Sequence, residues 1–316
     1  MTNSLQRLQA LGQSVWFDNI RRGFIRSGEL QRLVDLGVSG LTSNPSIFEK
    51  AITESSDYDW ALLDLALAGN SATEIFESLA VEDIRDAADL LLPVYERTAG
   101  ADGFASIEVS PLLANDTEGT VAEAQRLHAT LQRPNVMIKV PATPAGIPAI
   151  RQLISDGINV NVTLIFSLDA YAEVREAYVS GLEELELAGG DPSHVSSVAS
   201  FFVSRIDASV DGKLDQLIDS GIRELEGLMG KAAIANAKMA YRDFAQTFSN
   251  DRFAALATAG ARVQRPLWAS TSTKNPEYSD VLYVDELIGP NSVNTLPDVT
   301  LHAFLEHGQP ENNHRP

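Results

Sequence analysis

The chain has 316 residues, 44% of them hydrophobic, with 43 acidic and 24 basic side chains and a net charge of −19. That length is enough for one large core, and such an acidic surface repels nucleic acid and anionic membrane faces. Cysteine is absent, which excludes disulfides, thiolate nucleophiles and cysteine-held metals, and the five histidines show no metal-ligand spacing.

The predicted elements alternate. Residues 14–18 (S-V-W-F-D) read as a strand, 27–36 as a helix closed by Gly37, and 38–44 (V-S-G-L-T-S-N) as a second strand. An acidic, alanine-rich helical stretch covers 57–97, with a break near Gly69-Asn70. A strand at 104–110 and a helix at 117–131 follow, with Asp116 as the helix cap. Next come a strand at 136–140 and a helix at 146–156 that ends at Gly157. A strand at 158–164, a helix at 168–188 and a strand at 195–202 continue the pattern. Several helices fill 207–259, one of them at 230–248. Strands at 266–270 and 292–296 flank a short helix within 278–288, a further helix occupies 300–307, and N-N-H-R-P forms a frayed polar tail.

About eight β-then-α units without an internal break predict a parallel sheet with helices outside it. Eight such units close into a (β/α)8 TIM barrel with extra helices, here one domain over residues 1–316. An open doubly wound sheet is the alternative, but W-F-D-N-I-R-R-G after the first strand is not a glycine-rich phosphate loop. The N-terminus has no signal-peptide core and no apolar run is long enough for a bilayer, so a cytoplasmic protein is expected.

Lys139 is the residue with the most chemistry in its surroundings. It sits in V-M-I-K-V-P, a run with the composition of a buried strand. Burial disfavours the charged form of a lysine, and a neutral amine at a strand end is a nucleophile for carbonyls, the first step of Schiff-base chemistry. The plainer alternative is a strand lysine that leans to water or pairs with a carboxylate.

In a barrel the chemistry lies at the C-terminal ends of the strands. Here the first strand ends in Asp18, the second in Thr42-Ser43-Asn44, and the third and fourth carry Glu108 and Lys139. The fifth carries Asn161 and Thr163, two residues apart and so on one side. The sixth ends in Ser200 with Arg205 shortly after, and the seventh in Ser270, followed by Ser272 and Lys274. Taken singly, Asp18 or Asn44 reads as a turn former or cap, Arg205 as a partner for Asp207, and Lys274 as a loop cation. Polar groups at the same end of seven successive strands, around one lysine, point instead to a site.

Five blocks carry a resemblance to a known family. G-L-T-S-N-P-S-I-F (40–48), V-M-I-K-V-P-A-T-P-A-G-I (136–147), I-N-V-N-V-T-L-I-F-S (158–167), S-F-F-V-S-R-I-D (200–207) and W-A-S-T-S-T-K-N-P (268–276) resemble signature blocks of the transaldolases. The resemblance runs from about residue 14 to residue 304, and W-F-D-N-I-R-R is similar to the bacterial branch with an elongated chain. It implies a Schiff base on Lys139 and an acid/base role for Asp18 at the C4 hydroxyl. It further implies that Glu108 and Thr163 hold a proton-shuttling water. Asn44, Asn161 and Ser200 would hold the dihydroxyacetone hydroxyls, and Arg205 the substrate phosphate, helped by Ser270 and Lys274. The implied substrates are phosphorylated sugars of the pentose phosphate pathway, with no cofactor and no metal. Members of this branch continue past the eighth strand, whereas this chain stops soon after T-L-H-A-F-L-E-H-G, so a short or missing C-terminal helical cap is expected. Two other functions stay open: a related aldolase that releases free dihydroxyacetone, and a non-catalytic phosphosugar-binding protein. Oligomeric state is not fixed by the sequence.

Overall fold

Eight parallel strands follow one another in chain order around a closed barrel. They are β1 (Gln13–Phe17), β2 (Val38–Thr42), β3 (Ala105–Glu108), β4 (Val136–Pro141), β5 (Val160–Ile165), β6 (Ser197–Phe202), β7 (Arg265–Ala269) and β8 (Ser292–Leu296), with β8 pairing back onto β1. The structure is a computed structural model and describes residues 2–311. The predicted (β/α)8 barrel is the fold, and the N-N-H-R-P tail lies outside the described residues.

Strand residues alternate between two cores, as the period of two requires. Val15, Phe17, Leu41, Ile138, Phe201 and Trp268 face outward and join the large apolar layer beneath the helices. Trp16, Phe104, Met137, Val198, Leu267 and Val293 face inward and plug the barrel. Space inside is tight enough to require a glycine: Gly40 pairs with Trp16, and a Cβ there would lie 2.7 Å from the indole. Above this apolar plug the interior turns polar, and the inward positions become Thr42, Ser106, Lys139, Asn161, Ser200 and Thr295. The polar layer lies toward the C-terminal ends of the strands, where the site is.

The helices follow ordinary end rules. Ser71 and Glu74 form a capping box at the start of Ala72–Arg97, and the break after Asp59–Leu67 falls at Gly69-Asn70 as predicted. The last helix, Asp298–His307, seats Leu301 and Phe304 in the outer core. Three helices escape the sequence pattern: Ser4–Ala10, Arg22–Arg26 and Pro45–Thr53. The first two are too short to show a 3.6-residue period. The third was marked by Asn44 as cap and Pro45 in the first turn, a signal hidden by extending β2 to residue 44. Among the described residues no helix is long and apolar enough to cross a membrane.

Candidate active site

Lys139 points into the polar layer and is only 7% exposed. Its Nζ lies 3.1 Å from Glu108 Oε2 and donates to the Ser43 carbonyl at 2.9 Å. The register explains the meeting: Glu108 and Lys139 are directly paired across β3 and β4, and both face inward. The plainer reading of this lysine, a carboxylate partner, therefore holds together with the burial. The two are compatible, because a buried amine needs a partner.

Asp18 lies one residue past β1, and its backbone N–H donates to the Leu296 carbonyl at 2.8 Å. Thr42 donates to its Oδ1 at 2.6 Å. Burial raises the Asp18 pKa above the ordinary carboxylate value, against the opposing pull of the Thr42 hydrogen bond and of the Lys139 and Arg205 charges. A carboxyl held back from ionising inside a cleft is a candidate for taking and returning a proton.

The segment after Asp18 is fixed by a buried lock. Arg22 Nε donates to Asp83 at 2.8 Å, Tyr58 donates to the other Asp83 oxygen at 2.7 Å, and the Arg22 N–H donates to the Tyr58 hydroxyl at 3.0 Å. Asp83 belongs to Ala72–Arg97, so the longest helix of the chain holds the turn that presents Asp18.

A second polar chain crosses the interior. Ser200 donates to Asn161 Oδ1 at 2.7 Å, and Asn161 Nδ2 donates to Ser106 at 3.1 Å. Thr163 is buried two residues beyond Asn161, and directly after it β5 bulges: Leu164 has φ +60° and the register to β6 shifts between Val162 and Ile165. A bulge of this kind re-aims the side chain beside it.

Asn44 is a cap in the structure, its Oδ1 accepting the Ile47 N–H at 3.0 Å at the start of Pro45–Thr53. Arg205 does not pair with Asp207, contrary to the single-residue reading. The Asp207 carboxylate is taken by Ala233 N–H at 2.7 Å and Tyr283 O–H at 2.8 Å. Arg205 instead projects from the start of Ser204–Asp219 over the Phe202 ring, 5.1 Å from its centroid. Ser270, at φ +55°, shares a 2.9 Å hydrogen bond with Ser204 beside it. Lys274 sits in the exposed loop after β7 and donates to Ser272 at 2.8 Å.

With the geometry in view, a sequence profile described as Transaldolase/Fructose-6-phosphate aldolase matches residues 15–315. The chain belongs to this family. It is 51% identical over 318 residues to a transaldolase of Trichodesmium erythraeum, covering 99% of this chain and 84% of that protein. A transaldolase of Thermobifida fusca is 52% identical over 309 residues, covering 98% and 83%. A protein of Nostoc sp. named transaldolase 2 is 50% identical over 312 residues, covering 96% and 82%.

In this transaldolase-family barrel four groups to which the sequence reading gave no role touch the predicted set or one another, Thr42 and Ser43 having been noted only as polar residues at the end of β2. They are the Ser43 carbonyl on Lys139, Ser106 on Asn161, Thr42 on Asp18, and Thr295 on Thr42. Thr42, Ser106 and Thr295 share the inward parity of their strands, and that alternation was the available signal.

Proposed function

We propose that this chain is a transaldolase that carries a dihydroxyacetone unit on Lys139. The donor is sedoheptulose 7-phosphate and the acceptor glyceraldehyde 3-phosphate, giving erythrose 4-phosphate and fructose 6-phosphate within the pentose phosphate pathway. The observation that carries the reading is the buried Lys139 amine beside Glu108, with Asp18 close enough for its charge to be felt.

Glu108, 3.1 Å from Nζ, takes the ammonium proton and frees the amine to attack the C2 carbonyl. Loss of water from the adduct leaves an iminium. A water held by Glu108 and Thr163 shuttles protons in this step and in the final hydrolysis. Asp18 then removes the C4 hydroxyl proton. The C3–C4 bond breaks, its electrons pass into the iminium to give a neutral enamine, and the aldehyde leaves. The acceptor aldehyde reverses these steps: enamine C3 bonds to its carbonyl carbon, Asp18 returns the proton to the new alkoxide, and hydrolysis frees Lys139.

Asn161 and Ser200, already ordered in one hydrogen-bonded chain, hold the dihydroxyacetone hydroxyls. Asn44 contributes its Nδ2 donors, since its Oδ1 is engaged as a cap. Arg205 takes the phosphate, with a guanidinium not committed to Asp207, and Ser270 and Lys274 stand on the neighbouring loop as helpers. Against a net charge of −19, such a local cation is what draws an anionic sugar to the barrel mouth.

Borohydride reduction in the presence of fructose 6-phosphate should leave a three-carbon adduct on Lys139. An adduct on another lysine, or none, defeats the mechanism. Release of free dihydroxyacetone at a rate independent of acceptor aldehyde would assign the chain to the aldolase side of its family.

A further inference from the structure

Thr42 and Thr295, two hydroxyls with no role in the scheme above, sit against the part-buried carboxylate on which it turns. Thr42 Oγ1 lies 2.6 Å from Asp18 Oδ1 and 2.7 Å from Thr295 Oγ1. Both threonines are 3% exposed, so bulk water does not compete for these contacts. A hydroxyl carries one proton. Facing an ionised carboxylate, Thr42 gives its proton to Oδ1, and Thr295 must then donate to Thr42. The polarity of the chain is thus fixed: Thr295 to Thr42 to Asp18. A donor that is itself accepting a hydrogen bond is the stronger donor.

The barrel supplies the frame. β1 lies between β8 and β2, and Thr295 is paired with Trp16 across β8 and β1. The Asp18 backbone is tied to β8 through Leu296, and its side chain to β2 through Thr42. The hydroxyl pair joins the two neighbouring strands on the inner side of β1. Rotation of the carboxylate would break the 2.6 Å contact.

We propose that Thr42 and Thr295 form a two-hydroxyl relay that positions Asp18 and leaves its Oδ2 as the oxygen that exchanges a proton with substrate. The proposal rests on the acid/base reading of Asp18. In the cleavage step Oδ2 takes the C4 hydroxyl proton while Oδ1 keeps its bond to Thr42, and the C3–C4 electron pair passes to the iminium. In the return step Oδ2 gives that proton to the new alkoxide. Neither threonine gains or loses a proton over the cycle, so both are positioning residues.

The relay also favours the charged carboxylate. The groups acting on Asp18 are Lys139 and Arg205, which favour its ionised form, and Glu108, which opposes it. With those three unchanged, removing the Thr42 hydroxyl shifts Asp18 further toward its protonated form.

The test compares Thr42→Val, Thr42→Ser and Thr295→Val with the wild-type chain in the full transfer reaction. Thr42→Val should lower kcat by roughly 10- to 100-fold, the span expected for losing a hydrogen bond to a charged group. It should move the acidic limb of the kcat/KM pH profile to higher pH and leave the borohydride-trapped adduct on Lys139 intact. Thr42→Ser, which keeps the hydroxyl, should stay within about threefold of wild type. Thr295→Val should shift the same limb in the same direction by less, and it carries the test if Thr42→Val does not fold. A wild-type pH profile in both valine variants overturns the relay, and so does a serine variant as impaired as valine, which would mark a packing role. Absence of the Lys139 adduct in the wild-type chain is a separate outcome, which removes the Schiff-base reading and the relay with it.

Discussion

The two ends of the barrel hold the same residue types and finish them differently. At the N-terminal end Asp102 accepts from Ser39 at 2.8 Å, from Trp16 Nε1 at 2.7 Å, from the Gly103 N–H at 3.2 Å, from Arg265 at 3.5 Å and also from Ser14. A cavity of about 300 Å³ lies there, lined in part by Arg262 and Arg265. Both arginines are already committed to the protein: Arg262 donates to Ala99 O at 2.7 Å and to Ser196 at 3.3 Å, and Arg265 to Ser14 at 2.8 Å and to Asp102. At the C-terminal end the side chain of Asp18 meets Thr42, and Glu108 meets Lys139. A carboxylate whose lone pairs are filled by the protein holds the protein together. One left partly filled in a desolvated place keeps capacity for a substrate. Saturation, more than residue type, separates the structural end from the chemical one.

The sharpest way to break this contrast is at Lys139. Lys139→Ala should cut transfer by at least roughly 10⁴-fold, the scale seen when a covalent nucleophile is removed, and abolish the trapped adduct. Initial rates in a coupled assay for erythrose 4-phosphate measure the first effect and mass spectrometry the second. Substantial transfer by that variant would dissolve the distinction between the ends.

Asp18→Asn comes next, with kcat lowered by about 10²- to 10⁴-fold. The same substitution should stabilise the fold, and the sign follows from burial. The folded-state pKa of Asp18 is raised, so ionising the group costs more in the folded chain than in the unfolded one. That penalty is absent below the ordinary carboxylate pKa and grows as pH rises through the raised value. Thermal melts should therefore show the asparagine variant more stable at pH 7 and level with wild type in acid. A less stable variant at pH 7 would contradict the burial argument.

Asp102→Ala tests the other end. It strips the acceptor from Trp16, Ser39 and Arg265 and should cost about 3 kcal/mol in urea unfolding, as expected when one partner of a buried pair is lost. Turnover per folded molecule should stay within about twofold of wild type, because no Asp102 contact reaches the Lys139 layer. The smallest expected effect lies at Leu164, whose exposed side chain stands on a backbone with φ +60°. Leu164→Gly should gain up to about 1 kcal/mol of stability, since left-handed strain of about 1–2 kcal/mol is relieved and part of it is offset by glycine entropy.

Much of this was legible from the chain. The alternation of β and α segments predicted the barrel, and strand period put Asn161 and Thr163 on one side. The ion pair of Lys139 with Glu108 needed the register between β3 and β4, which no local pattern encodes. The cap formed by Asn44 was anticipated as a general tendency, but its helix was missed because the β2 pattern ran on past Thr42. For Arg205 the plainer alternative, a pair with Asp207, was the one that proximity in sequence suggested: Asp207 lies two residues away, yet the helix turns it toward Tyr283. Thr42 was noted among the polar residues that end β2 and Thr295 only as part of the last strand, and closure of β8 onto β1 is what brings the two together.

The amide of Asn44 has one end in a helix and the other available to a ligand. Its oxygen secures the first turn of Pro45–Thr53, while its nitrogen is the half assigned to the sugar. An aspartate at this position would preserve the helix start and invert the polarity offered to a hydroxyl. Architecture and recognition are thus divided between two atoms of one functional group, and exchanging a single NH₂ for O⁻ would separate them.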